Sequence, residues 1–239
     1  MDQQIMDEQQ IMKGRSKHLL WAVLAFLLCS TALNNFQEPL LQLISRSADS
    51  AALPVVLAVA KTLLQSGSWF AILLLYALSC NVKTYKVIFI VLAAMQIPSA
   101  AGGFLSSLYI MRVQTGQGGN GNEFFFLLGV ASALNIINLL AWVACLAVVV
   151  FSKWSGALLR VAAGVLALHF LLSIVYSLTA QYLYDFLIER SDPKQFSTTL
   201  AAINAVQTVF YLLASGFFFG VMSFGKHRQP KAPQAAVSA

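Results

Sequence analysis

Residues 124–151 read FFFLLGVASALNIINLLAWVACLAVVVF, without one charged side chain. A bilayer core takes about 20 apolar residues of helix, and this run exceeds that length. It lacks the period-two alternation of a membrane β-barrel strand. It therefore reads as a membrane-spanning helix whose apolar course is interrupted by two amides, Asn135 and Asn138.

Five further apolar runs lie to either side, at 18–36, 58–80, 87–111, 156–183 and 198–224. Short polar stretches separate most of them. Of the 239 residues, 59% are hydrophobic and 10% charged, against about 45–50% and about 25% in soluble domains. So few polar residues cannot cover a water-soluble core. The same arithmetic excludes a disordered chain, a collagen-like repeat and a disulfide scaffold. The expected fold class is all-α: a polytopic integral membrane protein with six transmembrane helices. Its domain spans 18–225, between an N-terminal segment 1–17 and a disordered tail 226–239 that carries Pro230 and Pro233. In the first outer segment, Leu40, Leu41, Leu43 and Ile44 suit a short helix lying in the interface.

Orientation follows from the basic residues. With the N-terminus inside, ten of the 15 Lys and Arg fall in inner segments, Lys83, Lys86 and Lys153 among them, and five fall outside. That is the direction of the positive-inside rule, so both termini are expected to be cytoplasmic. Lys13, Arg15 and Lys17 before Leu19–Leu28 resemble a secretory signal. The acidic Asp2, Asp7 and Glu8, and an apolar stretch that continues to Leu33, favour an uncleaved anchor. The net charge of +6 is spread singly between apolar runs, so no nucleic-acid partner is expected. No Asn-x-Ser/Thr acceptor occurs, in keeping with a bacterial inner membrane.

Motifs for chemistry are sparse. Cys29, Cys80 and Cys145 have no zinc-ligand spacing and read as small buried hydrophobes. Gly116, Gly118 and Gly121 match GxGxxG, but without the strand that a dinucleotide site needs. No GxSxG, HExxH or paired carboxylate lies within a span. Neither metal, cofactor nor catalytic residue is expected. Gly216 and Gly220 form a GxxxG in the last run, a groove that lets two helices approach closely. They are candidate packing residues, within the bundle or towards a second copy or a complex partner.

The polar residues inside the spans carry the most information. Gln96, Asn135, Asn138, His169, Asn204, Gln207 and Tyr211 form a candidate cluster near mid-membrane. At 100° per residue, His169, Ser173, Tyr176 and Tyr184 share one face of the fifth run. Asn204, Gln207, Tyr211 and Ser215 share one face of the sixth, and Gln96, Ser99, Gly103 and Ser107 one face of the third, beside Pro98. On the second run Lys61, Gln65, Ser68, Tyr76 and Ser79 do the same, a stripe suited to an outer vestibule. An amide facing lipid costs several kcal/mol, so these stripes are expected to face inwards. Two explanations compete for them: interhelical hydrogen bonds that hold the bundle, or a hydrated site for a small ligand. The first predicts a non-enzymatic, multi-pass inner-membrane protein, a structural or accessory subunit of a membrane complex. The second predicts a binding or transport protein for a small neutral or zwitterionic solute, since amides and hydroxyls carry no charge.

Overall fold

The computed structural model describes residues 6–12, 17–45, 52–114, 121–152, 155–190 and 193–230. Seven helices occupy most of them: α1 (Lys17–Ser45), α2 (Ala52–Ser79), α3 (Lys83–Ala94), α4 (Gln96–Gln114), α5 (Gly121–Phe151), α6 (Ala157–Arg190) and α7 (Pro193–Phe224). Two short strands, β1 (Met6–Gln10) and β2 (Lys226–Pro230), flank them.

Among the described residues, five segments are long and apolar enough to cross a membrane: Val59–Ser79, Lys83–Ser106, Phe126–Phe151, Ala157–Thr179 and Ala201–Phe224. In α1 the described apolar stretch, His18–Ala32, is shorter. The outward faces are built for lipid rather than water: Phe151 is 83% exposed, Trp21 71% and Val206 70%. So much large apolar surface marks a membrane or protein contact.

Sequence neighbours are also spatial neighbours. α2 packs on α1, α3 and α4; α5 packs on α4 and α6; α7 packs on α6 and returns to α1. The helices thus close a ring. The third apolar run is two helices, broken at Met95. Pro98 has no N–H to donate to the carbonyl of Ala94, while Met95 N still donates to Val91 O at 3.0 Å. The chain therefore bends at mid-span without leaving the bundle.

Two expectations need correction. The separate interfacial helix at Leu40–Ile44 is the second half of α1, which runs unbroken to Ser45. Within the segment 226–239 expected to be disordered, Lys226–Pro230 is instead β2, which pairs antiparallel with β1. Its register sets Glu8 opposite Arg228. The GxGxxG loop at 115–120 and residues 231–239 lie outside the described residues.

The ribbon ties the chain ends to one end of the ring. Ile11 and Met12 are buried. Ile11 N donates to Gly225 O at 3.2 Å, and Asn81 N donates to Ile11 O at 2.9 Å. Met12 and Cys80 form an antiparallel bridge, with Cys80 Sγ donating to Met12 Sδ at 3.4 Å. At the same end, Arg160 Nη2 donates to Ser152 O at 2.7 Å, and the Tyr85 and Ser155 hydroxyls bond at 2.9 Å.

This arrangement can be locked covalently. A narrow antiparallel pair brings Cα atoms to about 4.5 Å, within disulfide range. In a background of Cys29→Ser and Cys145→Ala, Met12→Cys is expected to oxidise with Cys80. Closing so long a loop stabilises by on the order of 3–4 kcal/mol. Intact mass, and melting with and without reductant, check this. Failure to cross-link under mild oxidant contradicts the placement of residue 12.

Candidate functional site

Side-chain chemistry divides the ring into two halves. Towards the chain ends the interior is dry. Tyr76 packs on Phe89 and Phe219, with ring centroids 5.3 and 5.0 Å away, and Trp69 lies 5.8 Å from Phe219. Leu73, Leu92, Leu146, Phe218 and Met222 fill the space around them. Most polar side chains here find a protein partner, as where Tyr76 Oη and Ser223 Oγ hydrogen-bond at 3.1 Å, although the buried Arg160 Nε has none.

The other half contains a cavity of about 520 Å³, within the range of about 300–1,000 Å³ usual for small-molecule sites. Helical periodicity explains its walls. α2 contributes Thr62, Gln65, Ser66 and Trp69, one face at i, i+3, i+4 and i+7. α4 contributes Gln96, Ser99, Gly102, Gly103 and Ser106, and α5 contributes Ala131, Ser132, Asn135, Asn138, Leu139 and Trp142. α6 adds His169 and Phe170, and α7 adds Tyr211. At 1.5 Å per residue, the α2 wall rises about 10 Å and the α5 wall about 16 Å above their tryptophans.

Two glycines set the width. A Cβ on Gly103 would collide with Thr62 Cγ2, and one on Gly102 would stand 3.1 Å from Ala131 O and 3.3 Å from Leu134 Cβ. The pair lets α4 lie close to α2 on one side and α5 on the other. The floor is aromatic. Trp69 and Trp142 meet edge to face at 6.0 Å, and Phe170 lies 5.1 Å from Trp142. Tyr211 closes the floor beside Trp69 and Phe170, its ring 6.4 Å from that of Phe170.

Higher up, satisfaction is partial. Gln96 Nε2 donates to Leu92 O at 3.2 Å, and Ser106 Oγ to Gly102 O at 3.0 Å. Ser173 Oγ donates to His169 O at 2.9 Å, while the His169 ring packs 5.2 Å from Tyr211 and 5.5 Å from Phe210. Asn138 is 8% exposed, and no protein group pairs with its Oδ1. Leaving such an atom unpaired costs about 1–3 kcal/mol. The lining includes no Asp, Glu, Lys or Arg. Among the described residues, no three His, Cys, Asp or Glu stand together to hold a metal.

Of the seven residues in the expected cluster, five meet at this cavity: Gln96, Asn135, Asn138, His169 and Tyr211. Asn204 and Gln207 are not among its walls. Asn204 is exposed and Gln207 half-buried. Both lie in the first two turns of the segment Ala201–Phe224. Gln65 of the second-run stripe lines the cavity, but Tyr76 belongs to the dry half. The Ser107 and Tyr184 side chains lie outside the described residues. Thr62, Ser66, Ser132, Trp69 and Trp142 were not anticipated. The i, i+3, i+4, i+7 spacing of Thr62 to Trp69 is the signal that marks four of the lining residues. The GxxxG face meets α1: a Cβ on Gly216 would lie 3.5 Å from Leu24 Cδ2, while one on Gly220 meets nothing within 4 Å.

The class these features define is a helical bundle of membrane-spanning length around a polar, uncharged cavity. No family model, curated protein or solved structure matches the chain.

Accessibility tests the division into halves. In a cysteine-free background, Ser99→Cys and Ser132→Cys are expected to react with a small water-soluble thiol reagent, while Ser223→Cys in the dry half stays unmodified. Equal protection at all three positions contradicts a hydrated cavity.

Proposed function

We propose that this protein is a six-span inner-membrane protein of a bacterial cell, with both termini cytoplasmic, that binds a small uncharged or zwitterionic solute in the central cavity. The observation that carries the reading is Asn138: a nearly buried amide on the cavity wall whose oxygen has no protein partner. In a bundle held together by its polar residues, that oxygen would be the first to be paired. At a ligand site, the missing donor belongs to the cavity's contents.

The span count is supported by the chain ends. Because β1 pairs with β2, residues 6–10 and 226–230 lie on one side, and an even number of crossings separates them. Five segments have crossing length, and α1 makes the sixth. The excess of Lys and Arg at that end favours the cytoplasm. The cavity then faces the periplasm, and its aromatic floor blocks passage in this conformation. Binding, rather than free conduction, is what the geometry favours.

A second reading, as an accessory subunit of a membrane complex, is favoured by the α7 glycine face. The open space at Gly220 leaves room for a helix of a partner or a second copy.

Melting in detergent separates the two. Asn138→Leu removes an acceptor that the protein does not satisfy, so the solute-site reading predicts a midpoint within about 2 °C of the parent. A scaffold role predicts a loss of several degrees, because the substitution would strand a partner. Reporter fusions after Lys83 and Lys153 should read cytoplasmic, and fusions after Gly119 and Lys194 periplasmic. The opposite pattern refutes the topology.

A further inference from the structure

The cavity combines three properties that together narrow its ligand: no fixed charge, a dense set of groups that both donate and accept, and an aromatic floor. Each constrains a different part of the bound molecule.

Absence of charge comes first. A zwitterion needs counter-groups for a carboxylate and an ammonium, since a buried unpaired charge is far costlier than a neutral polar atom. No Asp, Glu, Lys or Arg lines the cavity. The break between α3 and α4 supplies no free N–H at Met95 for a carboxylate, because Met95 N remains bonded to Val91 O.

The polar walls come second. Gln65, Gln96, Asn135 and Asn138 each present a carboxamide, and Thr62, Ser66, Ser99 and Ser132 each a hydroxyl. Every one of these groups can donate and accept. The ligand that matches many such groups is one whose own polar groups also do both and are equally numerous. Ring hydroxyls fit that description. A nucleobase offers only a few edge positions, each committed to one role. The Asn138 oxygen, lacking a protein donor, needs a ligand O–H or N–H.

The floor comes third. Trp69, Trp142 and Phe170 offer a continuous aromatic surface, with Trp142 6.0 Å from Trp69 and 5.1 Å from Phe170. Such a surface suits the C–H face of a ring whose hydroxyls point sideways. A volume of about 520 Å³ holds one or two such rings with some water.

We infer that the cavity takes an uncharged, polyhydroxylated ring compound of mono- to disaccharide size. Its ring face rests on the Trp69–Trp142 floor, and its hydroxyl edge lies among Gln65, Gln96, Asn135 and Asn138. This rests on the reading of the cavity as a solute site.

The test uses the full chain in lipid nanodiscs, with Trp21→Phe and Trp154→Phe so that only Trp69 and Trp142 fluoresce. Glucose, myo-inositol and cellobiose are titrated to about 50 mM, beside glycine betaine, glutamine and uridine as contrasts, and melting is followed in parallel. At least one polyol should raise the melting midpoint by about 3–5 °C and change tryptophan emission, with no such effect from the contrasts. Asn138→Leu should weaken that binding at least tenfold, and Asn138→Gln should recover part of it. Should Asn138→Leu fail to fold, Asn135→Leu takes its place. If glutamine, betaine or uridine binds with Asn138 dependence and no polyol does, the polyol inference is overturned while the solute site stands. Silence from every polyol, with Ser99→Cys and Ser132→Cys still reactive, overturns it in the same way. Silence together with unreactive cysteines overturns both. Polyol binding unaffected by the Asn138 and Asn135 substitutions places the ligand elsewhere and overturns it as well.

Discussion

A polar atom inside an apolar bundle is satisfied by a protein partner or by something filling a cavity, and the two halves of this ring differ in which they use. Towards the chain ends, Tyr76 is paired with Ser223, Tyr85 with Ser155, and Arg160 with the Ser152 carbonyl. The two hydroxyl pairs join segments 147 and 70 residues apart, and apolar side chains can close around them without leaving a void. In the other half the amides of Gln65, Asn135 and Asn138 line open space. An amide there cannot face lipid, where its groups would go unpaired, so the helices keep it inside the ring. The position of the cavity follows from that constraint.

Backbone geometry then sets the cavity's shape. Gly102 and Gly103 bring α4 against both α2 and α5, so the three polar walls stand within reach of each other. Pro98 bends the third span just where Gln96 and Ser99 enter the lining. Below them the aromatic floor joins the two halves. Trp69 belongs to the cavity through its indole and to the dry core through Phe219 and Phe26. It is the residue through which occupancy above is most directly felt below.

Much of this was legible in the chain itself, for a physical reason. Apolar length is a strong signal, and each of the five long segments lies within or overlaps an expected run. Gln96, Asn135, Asn138 and His169 stood out because an amide or imidazole at mid-span is costly anywhere except inside. Tyr76 and Tyr211 lie on polar stripes yet end in the dry core and the floor, because periodicity gives a face but not the neighbour it meets. Thr62, Ser66, Trp69 and Trp142 escaped notice, since small hydroxyls and indoles are ordinary in membrane helices. Asn204 and Gln207 share the polar stripe of Tyr211 but are not among the lining residues, because a shared helix face does not fix which turn of the helix reaches the cavity. The β1–β2 ribbon had no signal in either polar terminus alone. It exists only as a pairing between residues more than 200 positions apart.

On this reading, the far half of the ring holds a filled polar space rather than interlocked side chains. An experimental structure of the full chain in lipid nanodiscs, at a resolution that shows ordered water, tests it most directly. The account predicts density for water or a bound solute between α2, α4 and α5, with the Asn138 amide bonded to it above an intact Trp69–Trp142 contact. Collapse of α4 and α5 onto α2, with the Asn138 oxygen bonded to a protein donor and no space between the helices, would contradict it.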